Sequence, residues 1–224
     1  MAKTILIAGA NRGLGLEFAR QYAADGEHVI ATCRRPAEAT ELRRLGVRIE
    51  PLDTSTASSI EALARRLDGE SIDVLICNAG VYGPRSDVLT DMPTEDFDLV
   101  MRTNVLGPLR LTLAFADDVA RARGVMAFLS SRMGSIGTMS SSSGIAYRAS
   151  KAALNALVRA ASIELGKRGV RVLALHPGWV RTDMGGPQAT LTPEESVAGM
   201  KHVIAHASTL HGGFYDNTGA EIPW

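Results

Sequence analysis

A tyrosine and a lysine four positions apart are the residues of this sequence that most suggest chemistry. Tyr147 and Lys151 fall in a run with helical character, so both side chains would lie on one helix face. A nearby ammonium group favours phenolate, and we expect Lys151 to lower the pKa of Tyr147 from its usual value of about 10. The pair could then give and take a proton near neutral pH. Taken alone, the spacing also fits a surface tyrosine beside an unrelated lysine.

A second candidate is the glycine-rich turn that follows the first strand-like run. It reads Gly9-Ala10-Asn11-Arg12-Gly13-Leu14-Gly15 and leads directly into an amphipathic helical pattern. Glycines allow a tight turn and a close approach of the backbone to a pyrophosphate, which the N-terminus of the following helix attracts. The spacing G-x-x-x-G-x-G differs from the usual dinucleotide fingerprint, so the prediction depends on the position between strand and helix. A plain strand-to-helix turn is the alternative.

The end of the second strand-like run indicates which dinucleotide would bind. A carboxylate there would bind the ribose 2′-hydroxyl of NAD, but the sequence has Cys33-Arg34-Arg35. Arg34 could hold a 2′-phosphate through two parallel hydrogen bonds, and Arg12 could add a second positive charge. These residues favour NADP(H) over NAD(H) as the cofactor. Solvated loop arginines are the alternative.

Serine and asparagine residues extend the candidate site. Ser131 follows the fifth strand-like run, at the sheet edge where open α/β folds bind ligands, and its hydroxyl could bond a carbonyl oxygen that gains negative charge. Ser130 and Ser135 are alternatives for this role. Pro108 has no N–H, so the carbonyl of Asn104 loses its helical partner and, with the carboxamide, could hold a water molecule. A simple proline kink explains the same residues.

Composition argues against several classes of protein. The chain has 224 residues with 24 basic and 24 acidic side chains, and this balance argues against binding nucleic acid or anionic membranes by bulk charge. No apolar run reaches the roughly 20 residues that span a bilayer. Cys33 and Cys77 fit neither a metal site nor a disulfide framework, so no metal is expected. We expect one domain over residues 1–224, in the reduced cytoplasm.

Short apolar runs alternate with amphipathic ones along the chain. The short runs are rich in Ile, Val and Leu, as in strands covered on both faces. The alternation predicts a Rossmann-type α/β fold, a doubly wound parallel sheet of about seven strands with helices on both faces. The predicted strands are residues 4–8, 28–33, 47–51, 72–77, 124–130, 170–175 and 213–215. The predicted helices are one that ends before residue 26, then 36–46, 58–67, 94–122, 146–168 and 194–207.

These motifs together resemble the short-chain dehydrogenase/reductase family over nearly the whole chain. The glycine turn, the Asn-Ala-Gly segment after the fourth strand and the Pro-Gly-x-Val-x-Thr segment after the sixth match its pattern. The resemblance implies a catalytic set of Asn104, Ser131, Tyr147 and Lys151. It implies cofactor contacts by Gly9, Asn11, Arg12, Gly13, Leu14, Gly15, Arg34, Asp53, Thr54, Asn78, Ala79, Gly80, Tyr147, Lys151, Pro177, Gly178, Val180 and Thr182.

The segments at residues 11–17, 31–34 and 214–224 narrow the resemblance to a branch that contains sniffer-type carbonyl reductases and the signalling protein C-factor. This branch implies an NADPH-dependent reductase of aldehydes or ketones. Tyr147 would give a proton to the carbonyl oxygen, Lys151 would hold the nicotinamide ribose and tune Tyr147, Ser131 would orient the carbonyl, and Asn104 would anchor a water. The alternative is a dinucleotide-binding signalling or regulatory protein of C-factor type with secondary or vestigial catalysis.

The resemblance also sets expectations for partners. A small-molecule carbonyl substrate is expected, with no nucleic acid and no membrane partner. The substrate pocket would be lined by residues 82–87, 132–144 and 184–191. Members of the family commonly pair through the fourth and fifth helices, which implies a homodimer or homotetramer.

Overall fold

One seven-stranded sheet forms the centre of the molecule, in a computed structural model that describes residues 2–224. The strands are β1 Thr4–Ala8, β2 His28–Cys33, β3 Arg48–Pro51, β4 Val74–Cys77, β5 Val125–Leu129, β6 Arg171–His176 and β7 Phe214–Asp216. All neighbours pair in parallel, in the order β3-β2-β1-β4-β5-β6-β7. The strand order reverses between β1 and β4, which makes the switch point where such folds bind ligands. The predicted Rossmann-type sheet is confirmed.

Helices cover both faces of this sheet. They are α1 Gly13–Ala24, α2 Thr40–Arg44, α3 Ala57–Arg66, α4 Thr94–Met101, α5 Gly107–Ala122, α6 Ile145–Gly166, α7 Pro193–Ala205 and α8 Ala207–Leu210. Strand β1 contributes to two hydrophobic cores, one on each face of the sheet, because its successive side chains point to opposite faces. Leu6 and Ala8 pack with the apolar faces of α3, α5 and α6. Ile5 and Ile7 pack with those of α1, α2 and α7.

The predicted helix over residues 36–46 is wrong in detail. A 3₁₀ turn, Pro36–Glu38, and α2 take its place, and Ala39 between them has φ −81° and ψ 63°, outside the helical region. Within these two pieces and their junction only Ala39 and Leu42 are buried. Too little apolar surface is therefore available here to hold one longer helix, since tertiary packing supplies most helical stability.

The predicted helix over residues 94–122 contains a π turn that the sequence pattern does not reveal. Residues Arg102–Leu106 form this turn between α4 and α5. Pro108, just inside α5, cannot donate a backbone hydrogen bond, so the regular ladder is interrupted where the π turn lies. Asn104 is at its centre and fully buried. The other predicted bounds differ from the observed ones by two residues at most.

The carboxyl ends of the strands open onto one edge of the sheet, where the loops that follow β1, β2, β3, β4, β5 and β6 converge. Every predicted site residue lies in or just behind these loops or on the helices they lead into. Within residues 2–224, no helix combines the length and the apolar character that crossing a membrane requires.

Candidate active site

A cleft of about 980 Å³ lies at this edge of the sheet. Its volume is within the range of small-molecule and cofactor sites. The predicted site residues that line it are Gly9, Asn11, Arg12, Gly13, Leu14, Arg34, Asp53, Thr54, Asn78, Ala79, Gly80, Tyr147, Lys151, Pro177 and Thr182. Those that do not line it are Gly15, Asn104, Ser131, Gly178 and Val180. The structure therefore gathers most of the predicted set around one cleft.

The glycine turn is built by close backbone packing. Gly9 has φ +86°, and a side chain there would come within 3.0 Å of Ala79. A side chain at Gly15 would collide with the carbonyl oxygen of Gly9, so Gly15 acts by packing rather than by lining the cleft. The amide nitrogen of Asn78 donates to that same carbonyl at 2.5 Å. The turn is held tightly against the strand ends, as an approach to a pyrophosphate requires.

The N-terminus of α1 fits an anion. Helix α1 has twelve residues, starts at Gly13 in the cleft wall, and has no side-chain cap from Arg12. Its first amide N–H groups are therefore free to bind a negatively charged group, which the helix dipole also attracts.

The three arginines considered as phosphate contacts, Arg12, Arg34 and Arg35, differ in what they contact. Arg34 is exposed in the cleft wall, and within residues 2–224 no carboxylate lies within 4.0 Å of it. Arg35 instead pairs with Glu38 at 3.1 Å. Arg12, expected as a second positive charge for the cofactor, lies 2.6 Å from Asp183 in the loop after β6. Of the three, Arg34 is therefore the one best placed for a phosphate.

Tyr147 and Lys151 lie one turn apart on α6, both buried and both in the cleft wall. The Nζ atom of Lys151 donates to the carbonyl oxygen of Leu129, at the end of β5, at 2.7 Å. Burial lowers the pKa of Lys151 to about 8, because desolvation penalises the ammonium form. The same Nζ is 5.5 Å from the centroid of the Tyr147 ring.

The expected lowering of the Tyr147 pKa is wrong for this structure. Burial raises the pKa of Tyr147 to about 12, and the neighbouring Ser131 side chain counteracts only part of this rise. The ammonium group of Lys151 is held by Leu129 instead of by the phenol oxygen, which explains why it does not prevail over desolvation. Tyr147 is therefore a neutral phenol across the physiological pH range, the form that can donate a proton.

The three candidate serines have different partners. Ser130 donates to the side-chain oxygen of Asn155 at 2.6 Å, which ties β5 to α6. Ser135 donates to the carbonyl of Pro223 at 2.5 Å, which fastens the end of the chain. The hydroxyl of Ser131 accepts from the amide of Met133 at 3.2 Å and is next to Tyr147. Ser131 is therefore the one of the three whose side chain interacts with Tyr147, while Ser130 is the one that lines the cleft.

The carboxamide of Asn104 links the loop after β4 to α6. Its oxygen accepts from the amide of Val81 at 2.9 Å, and its nitrogen donates to the carbonyl of Val81 at 2.8 Å and to the hydroxyl of Ser150 at 2.9 Å. This double link fixes the loop beside Gly80, where an added side chain would lie 3.6 Å from Nζ of Lys151. Asn104 thus shapes the cleft from behind, and its carboxamide has little left for a water.

Two parts of the cleft differ from the sequence-based expectation. Of residues 132–144, expected in the substrate wall, none lines the cleft, because this segment packs toward the end of the chain through Ser135 and Gly137. Glu17 and Arg20 of α1 do line it and were not predicted. They form a forked ion pair with 2.6 Å and 2.8 Å contacts, and their i, i+3 spacing is a signal too common to identify a site.

Tyr82 and Arg85, from the segment expected to contribute to the substrate pocket, are in the cleft wall together with Met184, the only one of residues 184–191 that lines it. The ring of Tyr82 stacks on the ring of Tyr147, with centroids 4.7 Å apart and planes 19° from parallel. A sequence pattern gives no hint of this contact, since the two tyrosines are far apart along the chain.

Comparisons with known proteins agree with this geometry. The C-signal protein of Myxococcus xanthus is 43% identical over 167 residues, which are 74% of this chain and all of that protein. The structure of a short-chain dehydrogenase/reductase from Burkholderia multivorans with bound NADP has a TM-score of 0.92 at 36% identity, and the carbonyl reductase Sniffer of D. melanogaster has 0.92 at 29%, each covering all of both chains. The short chain dehydrogenase family model matches residues 3–191. The chain belongs to the short chain dehydrogenase family.

Proposed function

We propose that this protein is an NADPH-dependent reductase that converts an aldehyde or ketone to an alcohol. The observation that supports it most is that α6 places Tyr147 and Lys151 in the same cleft as the glycine turn. The Sniffer structure is that of a carbonyl reductase, and the Burkholderia multivorans relative contains NADP. Both similarities cover the whole chain and so favour the same reaction here.

The residues of the cleft fit NADP(H). The close packing of Gly9 and Gly15 leaves the backbone free to approach a pyrophosphate, which the N-terminus of α1 would hold. Arg34 would hold the 2′-phosphate that distinguishes NADP(H) from NAD(H). When bound, this cofactor supplies the hydride and its electron pair. The protein supplies the binding, the proton and the electrostatic environment.

Tyr147 would deliver the proton to the carbonyl oxygen. Its raised pKa keeps the phenol protonated until it donates. The hydroxyl of Ser131, next to Tyr147, would bond the same oxygen and stabilise the charge that develops there. Lys151 would stabilise the phenolate that remains, and it would also bind the nicotinamide ribose. Asn104 would position the loop at Gly80, and its backbone carbonyl, rather than its engaged carboxamide, would anchor a water.

The test is consumption of NADPH in the presence of a panel of aldehydes and ketones. We expect turnover by the wild-type protein and a loss of at least about 100-fold in Tyr147→Phe, as for removal of a general acid. Turnover that survives this substitution would reject the mechanism.

A second function is favoured by one observation, the 43% identity to C-signal. In this case the chain would be a dinucleotide-binding signalling or regulatory protein, with secondary or vestigial catalysis. Tight NADPH binding without turnover of any carbonyl in the panel would favour it, because fold alone does not determine activity.

We further propose that the chain forms a homodimer or homotetramer in the cytoplasm. Leu106, the last residue of the π turn, forms an exposed apolar stripe with Leu109 and Leu113 of α5, and Ile163 is exposed on the adjacent α6. Apolar stripes of this kind mark association surfaces when they are contiguous. Two unpaired, buried cysteines are compatible with a reducing compartment.

A further inference from the structure

A column of three stacked side chains runs from the proposed proton donor to the outer part of the cleft. Tyr82 stacks on Tyr147 at 4.7 Å between centroids, and the guanidinium carbon of Arg85 lies 4.7 Å from the centroid of the Tyr82 ring. All three residues line the same cleft. The ring of Tyr82 therefore connects a permanent positive charge to the phenol that would meet the carbonyl oxygen.

The guanidinium is held in place but not neutralised. One of its terminal nitrogens donates to the carbonyl of Met184 at 2.9 Å, which fixes it between two loops. Within residues 2–224, no carboxylate lies within 4.0 Å of Arg85, and the nearby Asp183 is paired with Arg12. A guanidinium has five N–H donors in a planar fork, so most of the fork remains available to a ligand. Stacking on the Tyr82 ring already orders the Arg85 side chain. Binding a ligand would therefore cost less of its conformational entropy.

We propose that Arg85 is a substrate-binding residue, and that the preferred carbonyl substrates have a carboxylate, or a comparable anion, at the end of the molecule remote from the carbonyl. This inference rests on the proposed function, because it places the carbonyl at Tyr147. A substrate lying along the edge of the column would have its carbonyl at Tyr147 and its anion at the Arg85 fork. A para-disubstituted benzene ring is rigid and keeps a carbonyl and a carboxylate at opposite ends of one small molecule. Charge and planar geometry both favour a carboxylate at a guanidinium fork.

The kinetic test compares two substrates that differ only in this charge, 4-carboxybenzaldehyde and methyl 4-formylbenzoate. We expect kcat/KM of the wild-type protein to be about tenfold higher for the acid than for the ester, because a partly exposed charge-assisted hydrogen bond has an effect of this size. Arg85→Gln should abolish this ratio by lowering kcat/KM for the acid alone, and added salt should reduce it in the wild type. Arg65→Gln removes an exposed arginine on α3, outside the cleft, and should leave the ratio unchanged.

A binding test needs no turnover and so separates this inference from the proposed function. The ligands are 4-(hydroxymethyl)benzoate and 4-(hydroxymethyl)benzamide, titrated by calorimetry into the protein saturated with NADPH, with which these alcohols cannot react. Preference for the acid that disappears in Arg85→Gln supports the inference even if no carbonyl is reduced. Equal affinities in the wild type, or equal losses for acid and amide in Arg85→Gln, would overturn it, because Arg85 would then only fasten the loop at Met184.

Discussion

The phenol oxygen of Tyr82 lies so close to Gly144 that a methyl group on this glycine would come within 2.5 Å of it. Gly144 has φ +64° and directly precedes α6, the helix of Tyr147. Because Tyr82 in turn stacks on Tyr147, the absence of a side chain at Gly144 allows both rings to occupy their positions.

We expect Gly144→Ala to lower kcat/KM for carbonyl reduction by about tenfold or more, since small displacements of reacting groups have large effects on rate. Gly26→Ala is the matched control, because Gly26 also has a positive φ, of 79°, but would meet no atom within 4 Å. Both variants should lose about 1 kcal/mol of stability from the strained backbone. The measurement is kcat/KM beside thermal unfolding; equal activity losses in the two variants would contradict the prediction.

Cofactor preference should depend on one of two adjacent arginines. Arg34→Gln should weaken NADPH binding by about 10- to 100-fold, the value of a charge-assisted contact, and leave NADH binding nearly unchanged. Arg35→Gln should change neither affinity strongly, because Arg35 is engaged by Glu38 and does not line the cleft. Fluorescence titration with both cofactors measures this. Equal losses for NADPH and NADH in Arg34→Gln would remove Arg34 from the 2′-phosphate site.

The apolar stripe on α5 gives a test of assembly. Leu113 is 71% exposed, so Leu113→Glu should leave the fold of one chain intact while placing charge in the proposed interface. Leu89→Glu is a matched control, because Leu89 is 72% exposed but lies outside α5 and α6. Sedimentation velocity should show the dimer or tetramer in the wild type and Leu89→Glu, and monomers in Leu113→Glu. A wild-type protein that sediments as a monomer would refute the proposed interface.

The sequence was sufficient for the architecture because the sheet is covered on both faces. Buried parallel strands read as continuous apolar runs, and β1 and β2 begin and end at the predicted residues. The π turn at Asn104 could not be predicted from the sequence, because a proline and a glycine in a helical run indicate a kink but not the type of turn.

The candidate site was predictable where a motif dictates backbone geometry, and not where it depends on contacts between distant loops. The glycine turn follows from local sterics at Gly9 and Gly15. The rise in the Tyr147 pKa follows from burial, which a local i, i+4 spacing cannot report. The ion pair of Arg12 with Asp183 joins loops 171 residues apart, and no periodicity indicates it.

We expect the buried ammonium group of Lys151 to lower the free energy of unfolding of the protein. Its pKa is lowered from 10.5 to about 8, so below pH 8 the folded protein holds a buried ammonium at a cost of about 3 kcal/mol relative to the unfolded chain. Between pH 8 and 10.5 the unfolded chain binds more protons at this site than the folded protein. The cost therefore disappears as the pH rises through this window.

Lys151→Met should accordingly be more stable than the wild type at pH 7, by about 2 kcal/mol after allowing for the hydrogen bond lost at Leu129. This advantage should shrink steadily between pH 8 and 10.5, while carbonyl reduction is lost at every pH. Lys167→Met, at an exposed lysine just beyond the end of α6, should give no such pH-dependent difference. Urea unfolding of the three proteins across this pH range is the measurement. A difference between Lys151→Met and wild type that stays constant with pH would show that Lys151 is not a buried cation in the folded protein.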